Sequence, residues 1–101
     1  MTADELYKAV RPFFDGINAV QTIEGTLKDL CWYTERIGEV QREIEEYGTM
    51  VETPRGRTAN PACAILHQYM VDKNSCLKCI TPLLGKGEAK DEFMDYIRGN
   101  R

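Results

Sequence analysis

TLKDLCWYTERIGEVQREIEEY, Thr26 to Tyr47, carries its apolar residues in a single stripe. Leu30, Tyr33, Ile37, Val40, Ile44 and Tyr47 follow one another at intervals of three or four, which places them along one side of an α-helix. Glu35, Arg36, Glu39, Arg42, Glu43, Glu45 and Glu46 fill the remaining surface, so most of the helix stays wet while its narrow seam needs an apolar partner. Thr26, with Asp29 three positions on, reads as the helix start. Gly38 lowers helicity by about 1 kcal/mol relative to Ala, yet the apolar phase is kept on both sides of it. The stretch predicts one long amphipathic helix near 27–47, in a helical hairpin or a coiled coil, and sets no oligomer number.

Downstream, Gly48 ends the helix and TMVETPRGRTA forms a loop. Pro54 and Gly56 allow a brief extended or hairpin-like excursion there and oppose a packed central strand. Asn60 followed by Pro61 opens a second long helix near 61–80: the Asn side chain accepts from an exposed N–H, and Pro at the first position loses no helical hydrogen bond. Its apolar positions include Ile65, Leu66, Tyr69, Met70, Leu77 and Ile80. Thr81 and Pro82 turn the chain, Leu83 and Leu84 cover the corner, and EAKDEFMDYI makes a short final helix with Phe93, Tyr96 and Ile97 on one side. Upstream, Thr2 and Glu5 form a capping box. Leu6, Val10, Phe13, Phe14, Ile17 and Val20 follow at helical spacing, but Pro12 and Gly16 split them into a short helix near 3–11 and a turn or helix near 13–22. The expected fold is all-α: a central antiparallel helical hairpin, its first seam packed on Ile65, Leu66, Tyr69 and Leu77, with short N- and C-terminal helices that cover the open side or reach a neighbour. Residues 1–101 read as a single helical oligomerisation domain.

The 101 residues suit one small domain. Sixteen Asp and Glu against thirteen Lys and Arg leave a net charge of -3, which supplies no bulk attraction to nucleic acid or to an anionic membrane. No run reaches the roughly 18 apolar residues of a membrane span, and MTADELYK lacks the features of a secretion signal. The chain reads as cytosolic, with cysteines that are reduced or metal-bound.

NPACAILHQYMVDKNSCLKCITP contains three of the four cysteines and the sole histidine. Cys63, His67, Cys76 and Cys79 could supply four zinc ligands, but Cys63 and Cys76 stand roughly 20 Å apart on an unbroken helix. Closure requires a break around VDKNS. The Cys76 and Cys79 pair could instead be a redox site, although its place near a helix C-terminus opposes thiolate formation. The third reading is ordinary helix packing, which also accounts for Cys31 beside Leu30. With no serine triad, phosphate loop or H-E-x-x-H pattern, the residues point to no enzyme and no cofactor. Arg55 and Arg57 in the loop, widened by Lys73 and Lys78, are the candidates for contact with a DNA backbone.

From about Leu30 to Leu84 the chain resembles the small subunit of tailed-phage terminases. The resemblance rests on YTERIGEVQREIEEYGTMVETPRG, NPACAILHQYM and CITPLL, with Tyr33, Tyr47, Gly48, Asn60, Pro61, Ile80, Thr81 and Pro82 in matching places. It implies a non-catalytic component of the viral DNA-packaging machine in the host cytoplasm, assembled as a homo-oligomeric ring. Such a ring engages double-stranded phage DNA and regulates the large terminase subunit, which holds the ATPase and nuclease. The alternatives left by the residues alone are a helical protein–protein adaptor and a small zinc-binding structural protein.

Overall fold

In the computed structural model, which describes residues 1–18 and 20–99, Thr2 opens the first helix, α1 (Ala3–Val10), with a reciprocal cap. The Thr2 hydroxyl accepts from the Glu5 N–H at 3.2 Å, and the Glu5 carboxylate accepts from the Thr2 N–H at 3.2 Å. Pro12 then tightens the chain into a 3-10 turn, Arg11–Phe14, which turns Phe14 into the core. The side chain of Val20, expected in the same apolar set, lies outside the described residues.

The long helix α2 runs Val20–Tyr47. It begins well before Thr26, so Thr26 is an interior residue and not a cap. Of the stretch 13–22, Phe13 and Phe14 end the 3-10 turn and residues 20–22 begin α2, while residues 15–18 lie in neither helix. Packing explains the earlier start. Ile23 and Leu27 are fully buried with Leu30 and Cys31, and burying them outweighs the cost of about 1 kcal/mol for carrying Gly25 inside a helix.

After Gly48 the chain forms two short strands, β1 (Met50–Thr53) and β2 (Gly56–Ala59), paired antiparallel with Val51 opposite Thr58 and Glu52 opposite Arg57. The fold is therefore mostly helical but not strictly all-α. Pro54 suits the second position of the turn, and Gly56 takes φ 110°, which favours glycine. The Thr53 hydroxyl closes the turn by donating to the Gly56 carbonyl at 2.7 Å. Every residue of the hairpin except Val51 is exposed, so it is a surface finger and not a core element.

Asn60 joins finger and helices. Its Oδ1 accepts from the Ala62 N–H at 3.0 Å and caps α3 (Pro61–Ile80), while its Nδ2–H donates to the Gly48 carbonyl at 2.8 Å and its backbone N–H to the Thr49 carbonyl at 2.9 Å. Buried at 6% exposure, this one side chain caps α3 and satisfies a carbonyl beyond the end of α2. A second 3-10 turn, Thr81–Leu84, leads to α4 (Glu88–Ile97).

The helices α2 and α3 lie antiparallel, with Tyr33 against Tyr69 at 5.8 Å between ring centroids and Ile80 in the cluster built on Leu27 and Leu30. α1, α4 and the 3-10 turns gather at that base, where Phe14 meets Phe93 edge-to-face at 5.3 Å. The other end of the hairpin has no such cover. The molecule measures 56 × 23 × 22 Å with a radius of gyration of 16.3 Å, against about 13 Å for a compact chain of this length. No helix among the described residues is long and apolar enough to cross a membrane.

Burial along the seam is uneven. Leu30 and Ile37 are buried; Tyr33, Val40, Ile44, Leu66, Tyr69 and Leu77 are half-buried. Two residues expected in the hairpin packing depart from it: Tyr47 is 61% exposed and Ile65 45% exposed. Tyr47 is the last residue of α2, beyond the reach of the core, and Ile65 sits to one side of the α3 line that faces α2.

Asn60→Ala should lower unfolding stability by about 1–3 kcal/mol, because it removes a cap and leaves the Gly48 carbonyl without its donor. Asn60→Asp should recover part of the loss, since it keeps the capping acceptor alone; urea denaturation of the three proteins checks the order.

Candidate functional site

The cysteine and histidine residues do not converge. α3 runs without a break through Val71–Ser75, so Cys63 and Cys76 remain about 20 Å apart along its axis. Cys63, His67, Cys76 and Cys79 therefore cannot surround one zinc ion, and no group of three or more His, Cys, Asp or Glu among the described residues could hold a metal. All four cysteines are free thiols. Cys31 is core packing, and burial pushes its thiol up to about 12. Burial, followed by the charge of Asp29, also raises the Cys76 thiol, which is the wrong direction for a redox nucleophile.

The four cationic candidates do not form one patch. Arg55 and Arg57 sit on the β-hairpin at the far tip, whereas Lys73 lies roughly 20 Å down α3 from Asn60 and Lys78 farther still. On the tip, Arg57 is partly neutralised by Glu52 at 3.5 Å across the strands. Arg55 makes no ion pair among the described residues and stands at the turn.

Lys73 has a different setting. It is half-buried in a groove on one flank of the hairpin, walled by Ile37 and Gly38 from α2, Met70 and Leu77 from α3, and Met94 and Arg98 at the end of α4. Burial lowers its pKa. Lys78, Lys90, Asp91 and Arg98 line the adjoining stretch of the same furrow. The opposite flank carries an aromatic cluster in which Trp32 meets Tyr33 at 5.3 Å and Tyr69 at 5.5 Å. The Arg36 guanidinium lies 5.5 Å from the Trp32 ring and is held by Glu39 at 2.6 Å and Glu35 at 3.0 Å.

Among the described residues these arrangements offer contact surfaces. The family model described as phage terminase, small subunit, matches residues 3–80. The chain belongs to the phage terminase small-subunit family. That assignment places it in viral DNA packaging. No curated protein and no solved structure matches it. The match reaches from α1 to the last residue of α3, so within this family unit the hairpin, its finger and the N-terminal helix go together, while α4 falls outside the matched residues.

Lys90, Arg98 and Trp32 escaped the sequence reading of this small-subunit chain. Lys90 and Arg98 reach the α3 furrow only because Phe93 and Ile97 anchor α4 in the core. That contact leaves no local signal. Trp32 did leave one: it lies off the α2 seam, next to Tyr33, where a large aromatic on a charged face marks a contact surface.

Thiol labelling at about pH 8 should modify exposed Cys79 in the native protein and reach Cys31 only after unfolding. The neutral Cys31 thiol contributes fully to native stability below its ordinary pKa of 9.0, and that contribution falls as pH rises toward about 12. Cys31→Ala should flatten this alkaline dependence in thermal melts.

Proposed function

We propose that the chain is a non-catalytic, homo-oligomeric subunit of the phage packaging terminase that holds double-stranded viral DNA by its phosphates and works with the large subunit in the host cytoplasm. The family match over residues 3–80 carries this reading. The exposed apolar surface supports the oligomeric part. Trp32, Tyr47, Met50, Ile65, Met70 and Val71 are all large, exposed and located on the α2–α3 hairpin or its finger. A rod with its core at one end and such a surface along its length is the form expected of one member of a ring.

The DNA part rests on the finger. Arg55 is exposed at the tip and makes no ion pair among the described residues, and in a ring each copy would present the same turn, so a modest charge would be multiplied around the circle. Glu43, Glu45 and Glu46 close α2 at the base of the finger, and Arg55 stands beyond them at the turn.

Native mass spectrometry of the full chain should show a closed oligomer; a monomer at every concentration would reject the assembly. In duplex-binding titrations, Arg55→Ala should weaken binding more than Arg57→Ala, and the double variant should reduce the salt slope by about one to two for each subunit in contact. Glu52→Ala should strengthen binding by freeing Arg57. Unchanged binding in all four, with assembly intact, would remove the finger from the DNA interface.

A further inference from the structure

The two flanks of the α2–α3 hairpin are opposite in shape and in charge. One is a ridge. Trp32, 42% exposed, stands on it beside Tyr33 and Tyr69. Asp29 and Asp72 border the cluster; burial raises the Tyr33 phenol first, and the charges of Asp72, Cys76 and Asp29 add to it. Two cations share this flank: Arg36, which Glu35 and Glu39 already neutralise, and exposed Lys28, which lies 5.6 Å from the Tyr7 ring and lines a hollow with Asp4, Asp29 and Trp32. The ridge is thus aromatic at its crest and acidic at its edges.

The other flank is the furrow, about 580 Å³ beside Lys73. Gly38 opens its wall: a Cβ there would meet nothing within 4 Å. Ile37, Met70, Leu77 and Met94 make the sides apolar, while Lys73 and Arg98 bring positive charge and neither has a salt-bridge partner among the described residues. Burying a lysine even halfway without a counter-ion is unfavourable, which is why its pKa is lowered. An incoming carboxylate would relieve that cost.

We propose that the furrow of one copy receives the ridge of a second copy, with Trp32 lying over Gly38 and the carboxylates of Asp29 and Asp72 turned toward Lys73 and Arg98. This rests on the homo-oligomeric reading and gives it a specific interface. Ridge and furrow lie on opposite flanks, so each chain donates one and accepts with the other. Such a contact is heterologous and leaves a free ridge and a free furrow on any open string until a ring closes. A DNA backbone suits the furrow less well. It brings phosphates but no apolar surface for Ile37, Met70 and Met94, and Lys73 sits half-buried among these side chains.

The test is a charge exchange between two variants of the full chain, each checked for native helicity by circular dichroism. Asp29→Lys with Asp72→Lys makes a basic ridge beside the native furrow. Lys73→Glu with Arg98→Glu makes an acidic furrow beside the native ridge. Each alone places like charges at every contact and should assemble at least about tenfold more weakly than the native chain. Mixed, they should form complexes containing equal numbers of both, because each ridge then meets an opposite furrow. Should the Lys73 variant not fold, Lys90→Glu with Arg98→Glu, in the adjoining stretch of the furrow, serves as the furrow arm.

Variants that assemble like the native oligomer would overturn this interface and leave the oligomeric reading standing. Loss confined to the ridge variant would mean a two-fold ridge-to-ridge contact, also overturning it. A furrow variant that stays assembled but loses salt-dependent duplex binding would assign the furrow to phosphate instead. A native chain that is monomeric throughout would reject the oligomeric reading and this interface with it.

Discussion

Burial of Ile80 and Phe93 against the first half of α2 is the contact on which the rest of the molecule depends. Ile80 closes the base of α3 onto Leu27 and Leu30, which sets the antiparallel register of the two long helices. Phe93, edge-to-face with Phe14, fastens both chain ends to the same place. Once that base is fixed, helical geometry alone determines which residues face each flank. Trp32 and Arg36 must point one way while Gly38 and Gln41 point the other, and Asp72 must share a side with Tyr33. The contrast between ridge and furrow is a consequence of this register.

Features decided within one turn of chain were legible from the residues. Thr2 and Glu5 needed only each other, and Asn60 with Pro61 needed only the start of α3, so both could be read before any tertiary contact was known. Thr26 carried an equally local signal that did not become a boundary. The difference lies in Ile23 and Leu27, whose burial against residues from both ends of the chain rewards continuing the helix upstream through Gly25. The β-hairpin was only half legible. Pro54 and Gly56 identify a turn, but strand pairing on so exposed a segment also requires Asn60 to hold its two ends together.

The candidate site was harder to read because its members are far apart in sequence. Arg55 and Arg57 were found as neighbours, and they remain neighbours. Lys73 and Lys78 were grouped with them by charge alone, whereas the rigid length of α3 separates the two pairs and places Lys73 with Arg98 instead. The cysteines give the converse lesson. C-x-x-C draws the eye as a unit, yet an unbroken α3 converts sequence proximity to Cys63 and His67 into distance, and burial raises the Cys76 thiol away from reactivity.

Net charge is a poor description of a molecule organised in this way. The value of -3 averages an acidic ridge and α2 tip, a cationic furrow and a finger whose arginines are partly offset by Glu52. In the proposed assembly, ridge and furrow charges face one another at every contact and largely cancel, while the finger takes no part in that contact. What such an assembly then presents at one end is the repeated Arg55 turn, held by Asn60 to the end of the helices that form the interface. Assembly and DNA contact would thus be coupled by geometry: the same hairpin that buries its flanks between copies sets the spacing of its tips, and a chain unable to assemble would offer only one weak phosphate contact.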